Sequence, residues 1–140
     1  MAKLADFNGT SWTGTSELWL DPLGDEVVRG ECTASANRDG LVYTWSHDGA
    51  EHEGRVELRS DGAEFVDGWH QPERMECRHI PNAPGLFQVQ GAYGPELEWG
   101  WRIALIFREP TGELILQMTN IAPWGEEARA VRMTFQQSER

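Results

Sequence analysis

The sequence predicts an all-β protein: a single closed up-and-down antiparallel barrel of about ten strands over residues 1–140. Three observations predict it. Turn signals recur at a steady beat along the chain, and the segments between them alternate apolar and polar residues with a period of two. Helical periodicity is weak everywhere except residues 2 to 7. The turns are DPLGD at 21–25, NRDG at 37–40, HDGAEH at 47–52, SDG at 60–62 and QPE at 71–73, then PNAPG at 81–85, GPELE at 94–98, EPTGE at 109–113 and PWGE at 123–126. Each carries Gly, Pro, Asn or Asp, which supply a positive or preset φ where a chain reverses. Asp-Gly recurs at 39–40, 48–49 and 61–62, the strongest short hairpin cue.

Residues 2 to 7 allow one short helical turn, placed to close one end. The first strand lies within FNGTSWTGTSELWL, residues 7–20. Trp12 shares a face with Gly14, Ser16, Leu18 and Leu20, so it points inward where small neighbours leave its ring room. Trp19 is out of phase and belongs to the exterior or the mouth. The third segment puts Leu41, Tyr43 and Trp45 on one face, against Thr44 and Ser46. Before the QPE turn, FVDGWHQ holds Asp67, Trp69 and His70. A bulge at Gly68 would turn His70 inward and Trp69 outward; without one the two exchange. The eighth segment aligns Trp99, Trp101, Ile103, Leu105 and Phe107, against Arg102 and Arg108. The ninth aligns Leu114, Leu116 and Met118, and the tenth Val131, Met133 and Phe135. Strands with one dry and one wet face require such alternation. Short connections in chain order favour a meander over a Greek-key sandwich, and closure removes its exposed edges.

Composition narrows the partners. A net charge of −11 repels a phosphate backbone and an anionic membrane face, so neither nucleic acid nor membrane is expected. The longest apolar run, IALIF at 103–107, is far short of the roughly 18 residues that span a bilayer. MAKLADFNG has no apolar core of a signal peptide, and a cytoplasmic location is expected. Cys32 and Cys77 are too few and too far apart for a disulfide framework or a zinc knuckle, and read as small buried hydrophobes. No metal site is expected.

The motif Gly9-x-x-Trp12-x-Gly14, following a short N-terminal plug and opening a string of hairpins, resembles the calycin superfamily. That group includes the lipocalins, the fatty-acid-binding proteins and the haem-carrying nitrobindins. The resemblance covers nearly the whole chain in layout, but its motif is three residues long and has one extra residue between Gly9 and Trp12. It implies that the Trp12 ring packs across the closed end and that the lumen takes a small ligand. The fatty-acid-binding proteins anchor a carboxylate with Arg-x-Tyr on the last strand. Here the pattern is Arg129-x-Val131, and the tyrosine is missing.

Ten strands leave more interior room than eight. Phase places Tyr43, Trp45, Trp69, Trp101, Met118 and Phe135 inside, together with His47, Asp67, His79, Asn120 and Arg129, although His47 and His52 flank an Asp-Gly turn that favours exposure. Apolar walls with a few convergent polar groups are the make-up of a small-molecule site. The expected ligand-binding set is Tyr43, Trp45, Asp67, Trp69, His70, His79, Trp101, Met118, Asn120 and Arg129. The expected function is non-enzymatic binding of a small hydrophobic or amphipathic molecule, with or without a carboxylate, by a monomer or homodimer that needs no cofactor. Three alternatives stand beside it. Asp67, His70 and His79 offer acid–base groups for an isomerase or lyase. His70 or His79 offers an axial ligand to haem, although nitrobindins take theirs from C-terminal strands, where this chain has no His. Trp19 and Trp124 offer exterior anchors for a protein partner.

Overall fold

The computed structural model describes residues 2–21 and 25–138; most of the DPLGD turn lies outside the described residues. A 3-10 turn at Leu4–Phe7 precedes ten strands: β1 Ser11–Trp19, β2 Val27–Asn37, β3 Gly40–His47, β4 Ala50–Arg59 and β5 Gly62–Asp67, then β6 Gln71–His79, β7 Phe87–Tyr93, β8 Trp99–Arg108, β9 Glu113–Ile121 and β10 Glu127–Gln137. Every strand pairs antiparallel with its chain neighbours, and β1 pairs with β10 to close the barrel. Closure leaves no edge strand, although β6 and β7 pair only over Cys77–His79 and Val89–Gly91.

The predicted parities hold through most of the wall. Leu41, Tyr43 and Trp45 of β3, Trp101, Ile103 and Leu105 of β8, Leu114, Leu116 and Met118 of β9, and Val131, Met133 and Phe135 of β10 are all buried. Cys32 and Cys77 are buried free thiols, and burial pushes them up to about 12 and about 11. The outer wall carries ion pairs, among them Arg29 with Glu17 and Arg59 with Glu64 and Glu76. Leu20, expected inside, is exposed just beyond the end of β1.

The closed end is a plug of rings. Trp12 is only 1% exposed, its centroid 6.0 Å from Phe7 and 6.4 Å from Phe107, and its indole N–H donates to Thr10 Oγ1 at 2.8 Å. Leu4 of the 3-10 turn joins the same core. The room that ten strands can enclose is largely taken up by what lies above this plug. Leu41, Val56, Phe65, Ile103, Leu105, Leu116, Met118 and Phe135 fill the middle of the barrel, each under 2% exposed. Strand count sets the diameter, but side-chain volume decides what remains of it. Space survives at the other end.

Two departures from the expected pattern shape that end. The β5–β6 turn falls at residues 68–70 rather than 71–73, and Gln71 already begins β6. The register then slips between Phe65↔Met75 and Asp67↔Gln71, so Pro72 sits where no ladder partner is paired, the position a residue without N–H can occupy. In β10, Arg129 pairs with Thr119 whereas Val131 pairs with Met118, so Ala130 is an extra residue.

Candidate functional site: the open mouth of the barrel

Asp67 organises the mouth. It is fully buried at the end of β5, and four donors converge on its carboxylate. The Tyr43 hydroxyl donates to Oδ2 at 2.7 Å and Trp45 Nε1 donates to the same oxygen at 3.1 Å. Oδ1 accepts the backbone N–H groups of Trp69 at 2.8 Å and His70 at 3.0 Å. A buried charge is tolerated when its lone pairs are used in this way. The same bonds shape the turn, because an Asp accepting N–H groups two and three residues on is a local substitute for backbone pairing. Tyr43 reaches Asp67 across Gly54, which lies between them in register. A Cβ on Gly54 would fall 2.3 Å from the Tyr43 ring and hydroxyl, so the glycine makes the slot. Burial first, and the Asp67 charge second, hold the Tyr43 hydroxyl well above its ordinary range.

Once the turn is tied down, its two aromatic residues divide. His70 turns inward and Trp69 stands at the rim, 41% exposed. The His70 ring lies 5.2 Å from Trp45 in near-parallel stacking and 5.4 Å from Trp101. Trp69 meets Trp45 and His70 edge to face at 5.7 and 4.7 Å. Burial pushes the His70 imidazole down to about 4; the Asp67 charge opposes that shift, and His52 and His47 add to it. His70 is therefore neutral at pH 7. His47 and His52, expected in the open around their Asp-Gly turn, are half-buried against Trp45 at 6.2 and 4.8 Å.

Two clefts open here, and they share the walls Trp69, His70, Tyr93 and Trp101. One, of about 240 Å³, runs down to Phe65 and Met75. The other, of about 330 Å³, spreads past Trp19, Asn120 and Ala128 to Arg129. Among the described residues, three buried ring nitrogens of this end have no hydrogen-bond partner: His70 Nε2, His47 Nδ1 and Trp101 Nε1. Buried polar atoms are nearly always paired, which sets these three apart from the satisfied indoles of Trp12 and Trp45.

The structure brings most of the expected set together here. Tyr43, Trp45, Asp67, Trp69, His70, Trp101 and Asn120 belong to the mouth or its foundation, and Met118 is buried in the floor beneath. His79 does not, and Arg129 lines only the rim of the wider cleft. His79 has inward parity, but β6 has by then run to the opposite end; its exposed ring swings to the Arg59 carbonyl, 2.7 Å from Nε2. Arg129 follows the outward phase of Thr119, because the bulge at Ala130 breaks its phase with Val131. Its guanidinium lies over Trp19, 4.5 Å from the ring centroid, on the rim. A carboxylate anchor inside the lumen is thereby corrected to a cation at its edge.

Tyr93 was missed as a site residue. It lines both clefts and donates to Asn120 Oδ1, and burial raises its hydroxyl although that bond lowers it. The signal was present, since Phe87, Val89, Gly91 and Tyr93 alternate along β7.

The acid–base reading loses its geometry: Asp67 accepts the His70 backbone N–H rather than its ring, and His79 is at the far end. The residues also fit haem poorly. The imidazole lining both clefts has Trp45 and Trp101 close by, and clefts of 240 and 330 Å³ sit at the lower limit of roughly 300 Å³ for drug-sized guests, smaller than haem. Among the described residues no three His, Cys, Asp or Glu side chains converge to hold a metal ion, and no helix is long and apolar enough to cross a membrane.

Fold and site together define a closed ten-stranded barrel with a ring-lined cleft at one end. No protein-family model matches the chain, and no curated protein matches it.

Proposed function

We propose that this protein is a non-enzymatic binding barrel that takes one small hydrophobic or amphipathic molecule at its open mouth, in the manner of the calycins its layout resembles. One observation carries the reading: adjoining clefts share four ring-bearing walls, and two of those walls present unpartnered buried nitrogens, His70 Nε2 and Trp101 Nε1. Rings supply dispersion and apolar burial, and the two nitrogens fix a guest's orientation. An indole N–H donates only, so the guest carries an acceptor there. Because the deep barrel is filled, the guest sits against Phe65 and Met75 rather than in a long tunnel. Two unpaired cysteines accord with a reducing, cytoplasmic compartment.

The test is native mass spectrometry on protein taken straight from cells, followed by extraction of the bound molecule. A discrete 1:1 adduct that is absent from Trp101→Ala supports the proposal. A bare mass, together with no uptake of fatty acid or of 1-anilinonaphthalene-8-sulfonate, defeats it.

A further inference from the structure

A third cleft, of about 320 Å³, lies beside the mouth, between the start of β8, the end of β9 and the β9–β10 turn. Trp99 and Trp124 form its corner, their centroids 5.9 Å apart and their planes at 69°. Trp124 is 72% exposed, the most exposed of the large hydrophobic side chains. The remaining walls include Asn120, Glu126 and Glu127, with no Lys or Arg. Glu127 is engaged from outside by Arg102, which holds its carboxylate below the usual range. Glu126 has no ion pair among the described residues.

An exposed indole costs free energy unless it meets a partner, and this one is held edge to face against a second indole. Indole faces attract cations electrostatically, and two planes near a right angle offer two faces to one ion. A free carboxylate beside them adds charge of the right sign, and the chain's −11 raises the local concentration of cations. A neutral apolar guest would use the rings but gain nothing from Glu126. An anion would be repelled.

We propose that the Trp99–Trp124 corner is a binding site for a small organic cation of the quaternary ammonium class, with Glu126 as its counter-charge. The site adjoins the mouth, with Asn120 and Ala128 as shared walls, but its ring pair Trp99 and Trp124 lines neither mouth cleft. The inference therefore stands or falls independently of the mouth's guest.

The experiment is a titration of the full chain with choline chloride, following the tryptophan indole N–H signals in ¹H–¹⁵N spectra, in parallel with its neutral isostere 3,3-dimethyl-1-butanol. Choline is expected to shift the Trp99 and Trp124 signals saturably, while the isostere leaves them nearly still. Trp124→Ala, in an exposed turn, is expected to weaken choline on the order of tenfold. Glu126→Gln is expected to weaken it a few-fold and to flatten its dependence on salt. Equal shifts with the isostere would make the corner a plain apolar patch. Absent or unsaturable shifts with choline, or unchanged affinity in Trp124→Ala, would equally overturn the proposal.

Discussion

Both ends of this barrel are built around tryptophan, yet they are finished differently. At the closed end Trp12 is covered by Phe7 and Phe107, and its one polar atom is satisfied by Thr10. At the open end Trp45 is satisfied by Asp67, but Trp101 Nε1 and His70 Nε2, both walls of the open clefts, are buried without partners among the described residues. The closed end is optimised for packing. The open end keeps unused hydrogen-bonding capacity in a place that packing could have filled. That difference, rather than the number of rings, sets the structural plug apart from the proposed site.

If the comparison is right, damage at the two ends should be felt in different measurements. The largest stability effect is expected at the plug. Trp12→Ala should cost about 3–5 kcal/mol in urea unfolding, since it opens a cavity among rings that cannot collapse. The folded fraction should still bind a guest at the mouth. Loss of binding in step with Trp12 would merge the two ends into one unit.

Asp67→Ala should come next, at about 3 kcal/mol by the same method, because it orphans the Tyr43 hydroxyl and Trp45 Nε1 and releases the Trp69 and His70 N–H groups. Unlike Trp12→Ala, it should also abolish binding among molecules that remain folded, since the turn that stands Trp69 up and turns His70 in is lost. Retained affinity would show that the turn is not what shapes the mouth.

Between about pH 6.5 and 4, acid should act first at His70 in the mouth. His70 falls to about 4 when folded, against an ordinary 6.5, so between those values the unfolded chain binds more protons. Stability is then full above about pH 6.5 and declines as pH falls towards about 4, by about 3 kcal/mol across the window. His70→Gln should flatten that decline in urea midpoints measured from pH 7 to 4. Parallel curves for the two proteins would place the acid sensitivity elsewhere.

The architecture was legible because its determinants are local. Period two survives in Leu41-Tyr43-Trp45 and along β8, and small neighbours around Trp12 announced an inward ring. Much of the mouth followed, since Tyr43, Trp45 and Trp101 are strand residues whose parity is fixed by local alternation. What failed depended on long-range placement. His79 had the right parity at the wrong end, which alternation cannot report. Arg129 was flipped by one extra residue opposite Thr119 and Met118. The β5–β6 turn moved because a side chain, Asp67, replaced backbone pairing. How full the interior is depends on summed side-chain volume across ten strands, which no single strand reveals.

The most direct test of the contrast is to titrate 1-anilinonaphthalene-8-sulfonate into ¹⁵N-labelled protein and follow each indole N–H separately. Saturable movement of Trp69 and Trp101 with one midpoint, while Trp12 stays still, is the predicted result. Unmoved signals at the mouth, or Trp12 moving together with them, would contradict the division of the barrel into a sealed end and a receiving one.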